Sequence, residues 1–328
     1  MRAFDHVSVD TVQAAVSALA DAGGPSALIA GGADLLSLMK AGIASPTTLI
    51  DLKSARALRG IELHDSGAVR LGALTTLADI ERDEALAERL PVLRAAVLDA
   101  ATPQIRNVAT VGGNVMQRTR CWYFRGPYTC WQKGGATCYA RGGQNKYHAI
   151  FELSPCVSAH PSDLAPALLA LDAVVETQGT GGSRHIALGE FFQPPEEGRR
   201  VETTLLPAEV ITAIEIPPQP QGARAMYLKM MDRRAWAYAL TSAAAQLALT
   251  DGVVTHARVV LGAVANIPYR AKAVEAHLTG KPFTPELAKE AAALAIQDAR
   301  PLTHNEYKVT LAQELTRRAL LLAAGMEW

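Results

Sequence analysis

The chain of 328 residues contains few cysteines and few aromatic residues, and it has no excess charge of either sign. Lysine plus arginine and aspartate plus glutamate number 32 each, so no net field attracts a polyanion. No run approaches 18 consecutive apolar residues, and the opening MRAFDHVSVD lacks a basic stretch followed by an apolar one. These absences argue against nucleic acid as a main partner and against direct membrane insertion. We expect a cytoplasmic chain, or a periplasmic one if a signal-bearing partner exports it.

The common nucleotide-binding motifs are also missing. GxGxxG does not follow the first strand, and GxxxxGK[ST] occurs nowhere, so neither a Rossmann dinucleotide site nor a P-loop is predicted. Fixed-period repeats are absent as well, which sets solenoids and propellers aside. What remains is a globular composition, 49% apolar and 20% charged, in a chain long enough for two domains of roughly 150 residues.

The spacing of apolar residues predicts an α/β region followed by an α+β region. Short strands at 26–30 and 47–52 alternate with helical patterns. Residues 106–115, RNVATVGGNV, predict a short strand that meets a glycine turn. A proline-rich stretch at 215–222 precedes two long strands around an Asp-Gly turn and then three helices. We therefore place the first domain, with two α/β subdomains, at 1–218 and a smaller α+β domain at 222–328.

Two glycine pairs follow apolar runs. Glycine lets the backbone turn with positive φ and lets a ligand approach the amides, which suits a phosphate. A pyrophosphate has two phosphates and would explain two such turns, whereas ordinary tight turns are the alternative. The residues concerned are Ala30, Gly31, Gly32, Ala33, Asp34 and Leu35 in the first turn, and Thr110, Gly112, Gly113 and Asn114 in the second.

All four cysteines lie in one segment, residues 117–160, which has no lasting periodicity. Disulfides have little use in a chain with an ample core, and free buried cysteines would not explain the clustering. Four thiolates could bind zinc or an iron–sulfur cluster, although the spacing matches neither a zinc ribbon nor the bacterial ferredoxin run. Nearby arginines and lysine favour thiolates. The candidate ligands are Cys121, Cys130, Cys138 and Cys156.

Several segments together resemble the FAD-binding subunit of the molybdenum hydroxylases, a family that includes the medium subunit of carbon monoxide dehydrogenase and the flavin portion of xanthine dehydrogenase. The resemblance covers nearly the whole chain. It implies a two-subdomain α/β FAD-binding fold followed by the smaller α+β carboxy-terminal domain. The segments are AGGADLLSLMK at 30–40, PTTLIDL at 46–52, LGALTTLADI at 71–80, TVGGNV at 110–115, HPSDLAPALLALDA at 160–173 and YLKMMDRRAWAYAL at 227–240.

The resemblance implies roles for particular residues. In such proteins the two glycine turns hold the FAD pyrophosphate from two subdomains. Asp163 matches an acid that approaches a sugar hydroxyl of the cofactor, although it could instead cap the helix predicted at 163–171. Lys229 matches a lysine near the flavin ring, although a lone strand lysine is by default a solvated edge residue.

The cysteine-rich insertion resembles the flavoprotein subunit of bacterial periplasmic-type aldehyde oxidoreductases, which carries an additional [4Fe–4S] cluster. That likeness implies that the four cysteines are cluster ligands. 4-Hydroxybenzoyl-CoA reductase also has a cluster in this subunit, so the insertion does not decide the substrate. His148 and His160 bracket the last cysteine, and either could be a substitute ligand or a hydrogen-bonded loop histidine.

The chain departs from the family pattern after residue 234. Some relatives have acidic residues there, whereas this chain has Trp236 and Tyr238. These rings could shield the flavin or block a nicotinamide from stacking on it, or they could simply pack a core edge. No residue of the chain is predicted to act as a general acid or base on a substrate.

The resemblance implies an electron-transfer subunit of a heterotrimer. Electrons would pass from a molybdenum-cofactor large subunit, through [2Fe–2S] centres on a small subunit, to FAD and an external acceptor. The substrate oxidised on the partner would be an aldehyde. Three alternatives stay open: another substrate, such as hydroxybenzoyl-CoA or an N-heterocycle; NAD as acceptor; and a zinc-stabilised binding or assembly subunit without flavin.

Overall fold

A computed structural model describes residues 1–328, in which twelve strands form three sheets. The strands are β1 (Asp5–Ser8), β2 (Ser26–Ile29), β3 (Thr48–Asp51), β4 (Ile61–Leu63), β5 (Val69–Gly72), β6 (Val174–Gly179), β7 (Gly182–Ala187), β8 (Val210–Ile216), β9 (Arg224–Met230), β10 (Thr241–Thr250), β11 (Val253–Gly262) and β12 (Tyr269–Arg270). The α-helices are α1 (Val12–Ala20), α2 (Leu35–Lys40), α3 (Leu77–Arg82), α4 (Glu84–Arg89), α5 (Pro91–Leu98), α6 (Pro103–Arg106), α7 (Val111–Val115), α8 (Trp122–Arg125), α9 (Leu164–Ala170), α10 (Leu188–Phe191), α11 (Lys272–Leu278), α12 (Pro285–Leu294) and α13 (Tyr307–Ala323). None of them combines the length and the apolar content needed to cross a bilayer.

The first subdomain is a small parallel sheet in the order β1-β3-β2. Its central strand β3 buries both Leu49 and Ile50, as expected for a parallel strand that is covered on both faces. Helix α1 crosses over after β1 and is capped by Thr11, whose hydroxyl accepts a hydrogen bond from the Ala14 amide at 3.1 Å. Strand β2 ends directly before the first glycine turn and so fixes where that turn lies.

The second subdomain is an antiparallel sheet in the order β4-β5-β8-β6-β7. Every residue of α9 is buried, because this helix packs against α5 and α7 and also contacts β10 and β11 of the third sheet. The core of 33 buried residues around α9 includes Tyr227, Ala244 and Val260, which lie beyond the proline-rich stretch. Apolar packing is therefore continuous from the second subdomain to the third sheet.

The third sheet has the order β12-β11-β10-β9, and helices α11 to α13 follow it, as the sequence predicts. Asp251 and Gly252 both have positive φ, +50° and +78°, which is the backbone of a tight two-residue hairpin turn between β10 and β11. Ile150 and Phe151 of the cysteine-rich segment join the buried core of this region.

Residues 106–115 do not contain the predicted strand. Helix α6 ends at Arg106 and α7 begins at Val111, and between them only an isolated bridge from Thr110 to Thr76 is strand-like. The reason is local capping: the Thr110 hydroxyl accepts a hydrogen bond from the Gly113 amide at 3.2 Å and so starts α7. Strand β9, which carries two residues of the site, lies between the proline-rich stretch and the predicted hairpin; Lys229 was expected on a strand, but no bounds were predicted for that strand.

Candidate functional site

A cavity of about 510 Å³ opens where the two subdomains meet the segment after β9, and its lining is mostly apolar. The structure brings to it every predicted cofactor residue except Lys229, which stands behind the wall. The predicted residues that line the cavity are Ala30, Gly31, Gly32, Ala33, Asp34, Leu35, Thr110, Gly112, Gly113, Asn114 and Asp163, together with Trp236 and Tyr238.

The first glycine turn passes extremely close to the opposite subdomain. A Cβ on Gly31 would lie 1.7 Å from the carbonyl oxygen of Val108, so no side chain fits there. Gly32 has φ +71°, in the left-handed region. The amides of Gly31, Gly32, Ala33 and Asp34 donate to no acceptor within the chain. Four unpaired amides beside a cavity can bind an anionic oxygen, as the diphosphate of a nucleotide requires.

The second glycine turn differs from the prediction in how its amides are used. The Val111 and Gly112 amides donate to the carbonyls of Thr75 and Ala73, each at 2.9 Å, so they are not free for a phosphate. A Cβ on Gly112 would lie 3.2 Å from the Ala73 Cβ, which explains why a residue without a side chain occupies this position. Asn114 accepts a hydrogen bond from the Ser162 hydroxyl at 2.5 Å. This turn therefore shapes the cavity and fixes the approach to α9, while the first turn supplies free amides.

Asp34 joins the first glycine turn to the cysteine-rich segment. Its Oδ1 accepts from Arg120 at 2.7 Å and from Arg125 at 2.8 Å, and its Oδ2 accepts from the Arg118 amide at 2.8 Å. Arg118 and Arg120 line the cavity as well. From the sequence, the arginines of this segment were expected only to favour thiolates. No local signal pairs them with an aspartate more than 80 positions earlier.

Asp163 does not cap α9, because its side chain makes no capping hydrogen bond. Its carboxylate instead accepts from the Tyr227 hydroxyl and the Lys229 Nζ, both at 2.8 Å. Lys229 also donates to the Asp99 carbonyl at 2.8 Å, and its side chain is fully buried, so the solvated-edge interpretation is wrong. Helix α5 packs on β9 and covers that edge of the sheet.

Burial is the largest influence on the titration of this group. It raises the pKa of the Asp163 carboxyl, against the lowering effect of the Lys229 ammonium. It also raises the pKa of the Tyr227 phenol well above its usual value. Tyr227 was not predicted, although it lies two residues before Lys229 and therefore on the same face of the strand.

We expect Lys229→Met to destabilise the chain by about 3–5 kcal/mol, because it leaves Asp163 buried without its cation. Urea unfolding of the flavin-free chain measures the change. Lys53→Met is the matched control: Lys53 pairs with Asp51 at 3.1 Å but its side chain is 58% exposed, so its loss should cost no more than about 1 kcal/mol. Equal costs for the two variants would contradict the importance of burial at Lys229.

One wall of the cavity comes from the loop before β8, and the residues of this loop were not predicted as part of the site. Leu205, Leu206, Ala208 and Glu209 line this wall. The buried Glu209 carboxylate accepts from the Leu206 amide at 2.7 Å and pairs with Arg184 of β7 at 2.9 Å. This carboxylate therefore holds the loop against the sheet.

Trp236 and Tyr238 form part of the rim of the cavity. Trp236 is 62% exposed and Tyr238 50% exposed, so the interpretation that they pack a core edge is wrong. The Arg120 guanidinium lies 4.8 Å from the centre of the Tyr238 ring, at cation–π distance. Shielding of a flavin by these rings stays a prediction.

The cysteine-rich segment is mostly irregular, as predicted, and its four cysteines are free thiols. Cys121 packs beside Cys130 in one small apolar cluster and beside Cys138 in a second one, while the Cys156 sulfur donates to Gln132 Oε1 at 3.3 Å. No three of the sulfurs lie within 4.8 Å of one another. Tetrahedral zinc, with Zn–S bonds of about 2.3 Å, requires sulfurs only about 3.8 Å apart.

The thiols have different affinities for protons. The hydrogen bond from Cys156 lowers the pKa of Cys138 to about 6, with Arg141 as a further positive influence. The same interaction and burial raise the pKa of Cys156. Burial raises the pKa of Cys121 to about 11. Cys138 is therefore the thiol that is most readily available as a thiolate.

The two histidines near the last cysteine occupy different surroundings. His148 Nε2 lies 3.1 Å from the Cys121 sulfur, so this ring contacts a predicted ligand. His160 is buried, accepts a hydrogen bond from the Ser162 amide at 3.4 Å and packs edge-on against Phe192. His160 is therefore a hydrogen-bonded loop histidine.

We expect His160 to make the chain less stable in acid. Burial lowers its pKa from 6.5 to about 3, so its neutral form is favoured in the folded state. The contribution of neutral His160 to the free energy of unfolding is therefore fully present above pH 6.5 and is lost as the pH falls towards 3. At pH 5 the loss is about 2 kcal/mol. Urea unfolding at pH 7 and pH 5 should show that His160→Gln loses about 2 kcal/mol less than the unmodified chain. A pH dependence equal to that of the unmodified chain would contradict this.

The sequence and the fold match a known class of flavoprotein. Residues 2–219 match the FAD-binding domain in molybdopterin dehydrogenase, and residues 226–323 match the CO dehydrogenase flavoprotein C-terminal domain. The chain therefore belongs to the FAD-binding medium subunits of the molybdenum hydroxylase family. The predicted fold class is confirmed, and the alternative of a subunit without flavin is not supported.

Two curated relatives illustrate the likeness. The FAD-binding subunit PaoB of the aldehyde oxidoreductase of Escherichia coli (strain K12) is 40% identical over 95% of this chain and 96% of its own length. The carbon monoxide dehydrogenase medium chain of Hydrogenophaga pseudoflava is 29% identical over 97% of this chain and 96% of its own length.

Solved structures agree with this. Carbon monoxide dehydrogenase from Hydrogenophaga pseudoflava, in a form that lacks the Mo-pyranopterin moiety, superposes with a TM-score of 0.80 at 28% identity and covers 99% of this chain and 98% of its own. Quinoline 2-oxidoreductase from Pseudomonas putida 86 superposes with a TM-score of 0.77 at 25% identity, with the same coverage. These relatives are oxidoreductases or oxidoreductase subunits.

Proposed function

We propose that the chain carries FAD and a [4Fe–4S] cluster and transfers electrons within a heterotrimeric molybdenum hydroxylase that oxidises aldehydes. Its partners would be a molybdenum-cofactor large subunit and a [2Fe–2S] small subunit. The observation that carries the proposal is the cavity with four free amides, joined through Asp34 to the segment that contains all four free cysteines. The relative that is 40% identical supports the aldehyde as the substrate class.

The residues of the cavity fit FAD. The free amides of residues 31–34 suit the diphosphate, and Asp163 stands in the wall with one carboxylate oxygen held by Tyr227 and the other by Lys229. Bound FAD would supply two-electron redox chemistry, because a flavin can accept an electron pair and release the two electrons together or one at a time. The chain binds and orients the cofactor, and its mostly apolar lining excludes water from it.

The four cysteines fit a cluster better than a single zinc ion. Their sulfurs are more widely spread than tetrahedral zinc requires, and the segment from 117 to 160 contains little regular structure of its own. Cys121, Cys130, Cys138 and Cys156 would be the four ligands. Thiolates are the usual ligands of [4Fe–4S] clusters, and positive neighbours such as Arg141 favour the thiolate form.

We propose an acceptor other than NAD. The exposed rings of Trp236 and Tyr238 line the cavity, where they would compete with a nicotinamide for the face of a bound flavin. Arg120 contacts the face of the Tyr238 ring and is itself paired with Asp34, and these contacts favour the position of the ring on the rim. The domain division at 218 and 222, and the compartment, stay predictions.

Absorption spectroscopy and metal analysis of the purified full-length chain test the cofactors. We expect flavin bands together with a broad brown absorbance, and iron and acid-labile sulfide in equal amounts at about four per chain. A yellow protein that contains stoichiometric zinc and no iron would retain FAD and overturn the cluster. Colourless protein would overturn both.

Turnover assays of the assembled complex test the substrate and the acceptor. We expect aldehydes to reduce artificial dyes through the complex, with hydroxybenzoyl-CoA and N-heterocycles much slower. NAD should be reduced slowly or not at all. Replacing Trp236 and Tyr238 together by alanine is the sharper test of shielding, because NAD reduction should then rise while dye reduction stays unchanged. Rapid NAD reduction by the unmodified complex would overturn the proposed role of the two rings.

A further inference from the structure

A lysine without a counter-ion is buried against the cysteine-rich segment. Lys308, the second residue of α13, has no exposed surface. Its Nζ donates to the carbonyl oxygens of His148 at 2.8 Å and of Ala263 at 2.6 Å. No carboxylate pairs with it, and burial alone accounts for the shift of its pKa, to about 7. The mechanism proposed above makes no use of this group.

An unpaired buried cation is costly, and proteins nearly always pair or neutralise such a charge. The carbonyl dipoles that contact Lys308 offset only part of that cost. A formal negative charge in the same low-dielectric region would offset the remainder, because electrostatic interactions are strong where water is excluded. The fold provides none from its own carboxylates.

Contacts through His148 link Lys308 to the cysteines, which would carry negative charge as thiolates. Lys308 binds the backbone of His148, and the ring of the same residue lies 3.1 Å from the Cys121 sulfur. Asn305, one turn before, donates to the carbonyls of His148 and Ala149. The start of α13 is thus fixed to the loop whose ring touches a ligand sulfur. A cluster held by four thiolates carries net negative charge, which increases on reduction.

We propose that Lys308 is the buried counter-cation of the [4Fe–4S] cluster and that its charge raises the reduction potential of the cluster. The inference rests on the proposed cluster. The charge acts through the protein interior, without contact with the sulfurs. It favours the reduced, more negative state, as nearby positive charge does for iron–sulfur centres.

Three substitutions separate the charge from the hydrogen bonds. Lys308→Gln keeps amide donors but removes the charge, Lys308→Met removes both, and Lys308→Arg keeps both. Lys289→Gln on the exposed face of α12 is the matched control. Reductive titration of the full-length chain, followed by the electron paramagnetic resonance of the reduced cluster, gives the potential. We expect it to fall in both neutral variants and to stay near the original value in Lys308→Arg and Lys289→Gln.

Thermal unfolding of the chain with and without iron gives a second measurement. The neutral substitutions should change the melting temperature differently in the two forms. In the loaded chain, the neutral variants should melt at lower temperature than the unmodified protein. In the iron-free chain Lys308→Gln, which keeps hydrogen-bond donors, should melt at the same or a higher temperature, because the uncompensated charge is then absent. A purely structural lysine would lower the melting temperature equally in both forms.

Each outcome decides the inference. An unchanged potential in a folded neutral variant that contains its iron overturns the role of Lys308 while leaving the cluster intact. Failure of both neutral variants to fold even without iron also overturns it, because the charge would then serve the fold. Absence of iron from the unmodified chain is a different result, which overturns the proposed cluster itself.

Discussion

Gly31→Ala should yield a chain that binds FAD weakly or not at all. The new Cβ would lie 1.7 Å from the Val108 carbonyl oxygen, which belongs to the backbone and cannot rotate away. The two subdomains would have to separate at the point where four free amides face the cavity. Overpacking of this severity costs about 3 kcal/mol or more, which corresponds to roughly 100-fold weaker binding.

Gly23→Ala is the matched control for this variant. Gly23 lies in the same subdomain, its φ is not in the left-handed region, and a Cβ there would meet no atom within 4 Å. Flavin content after purification and the dissociation constant of added FAD measure both variants. We expect the control to retain full flavin. Equal retention by Gly31→Ala would show that the first glycine turn is not part of the flavin site.

Cys130→Ser should remove most of the iron while most of the flavin stays bound. Cys130 is buried against Leu38 and Phe124, and loss of one of four ligands leaves a cluster open to solvent and oxidants. The contacts from the segment to the flavin cavity come from Arg118, Arg120 and Arg125, which precede this cysteine. Those contacts should survive the substitution.

The exposed neighbour Thr129 supplies the control, as Thr129→Ser, because it makes a comparably small change in the same loop. Iron, acid-labile sulfide and flavin are measured on both variants. Full iron in Cys130→Ser would exclude this residue as a ligand. Joint loss of iron and flavin would mean that the cluster also holds the arginines that pair with Asp34.

Local features of the site were the easiest to predict from sequence. Gly31 and Gly32 come shortly after the strand β2, and the sharp turn there can be recognised from the glycine pair alone. The prediction of a strand around Thr110 was wrong. The alternation of apolar residues there favours a strand, but the Thr110 side chain caps a helix, and the capped helix is what forms.

Features that depend on distant contacts could not be predicted. The burial of Lys229 depends on α5, which covers the edge of β9, and its partner Asp163 lies 66 positions away. Tyr227 acquires its role from the same contact. The resemblance to a family brought Asp163 and Lys229 to notice, but only the folded chain shows that they form a pair.

Helix α9 has a consequence for how the molecule comes apart. All seven of its residues are buried between the second subdomain and the hairpin of β10 and β11, so neither part can open without exposing the apolar surface of the other. Such shared packing makes melting all-or-none across the proline-rich linker. Calorimetry of the chain should therefore record one endotherm, and protease cleavage at that linker should release no separately stable half.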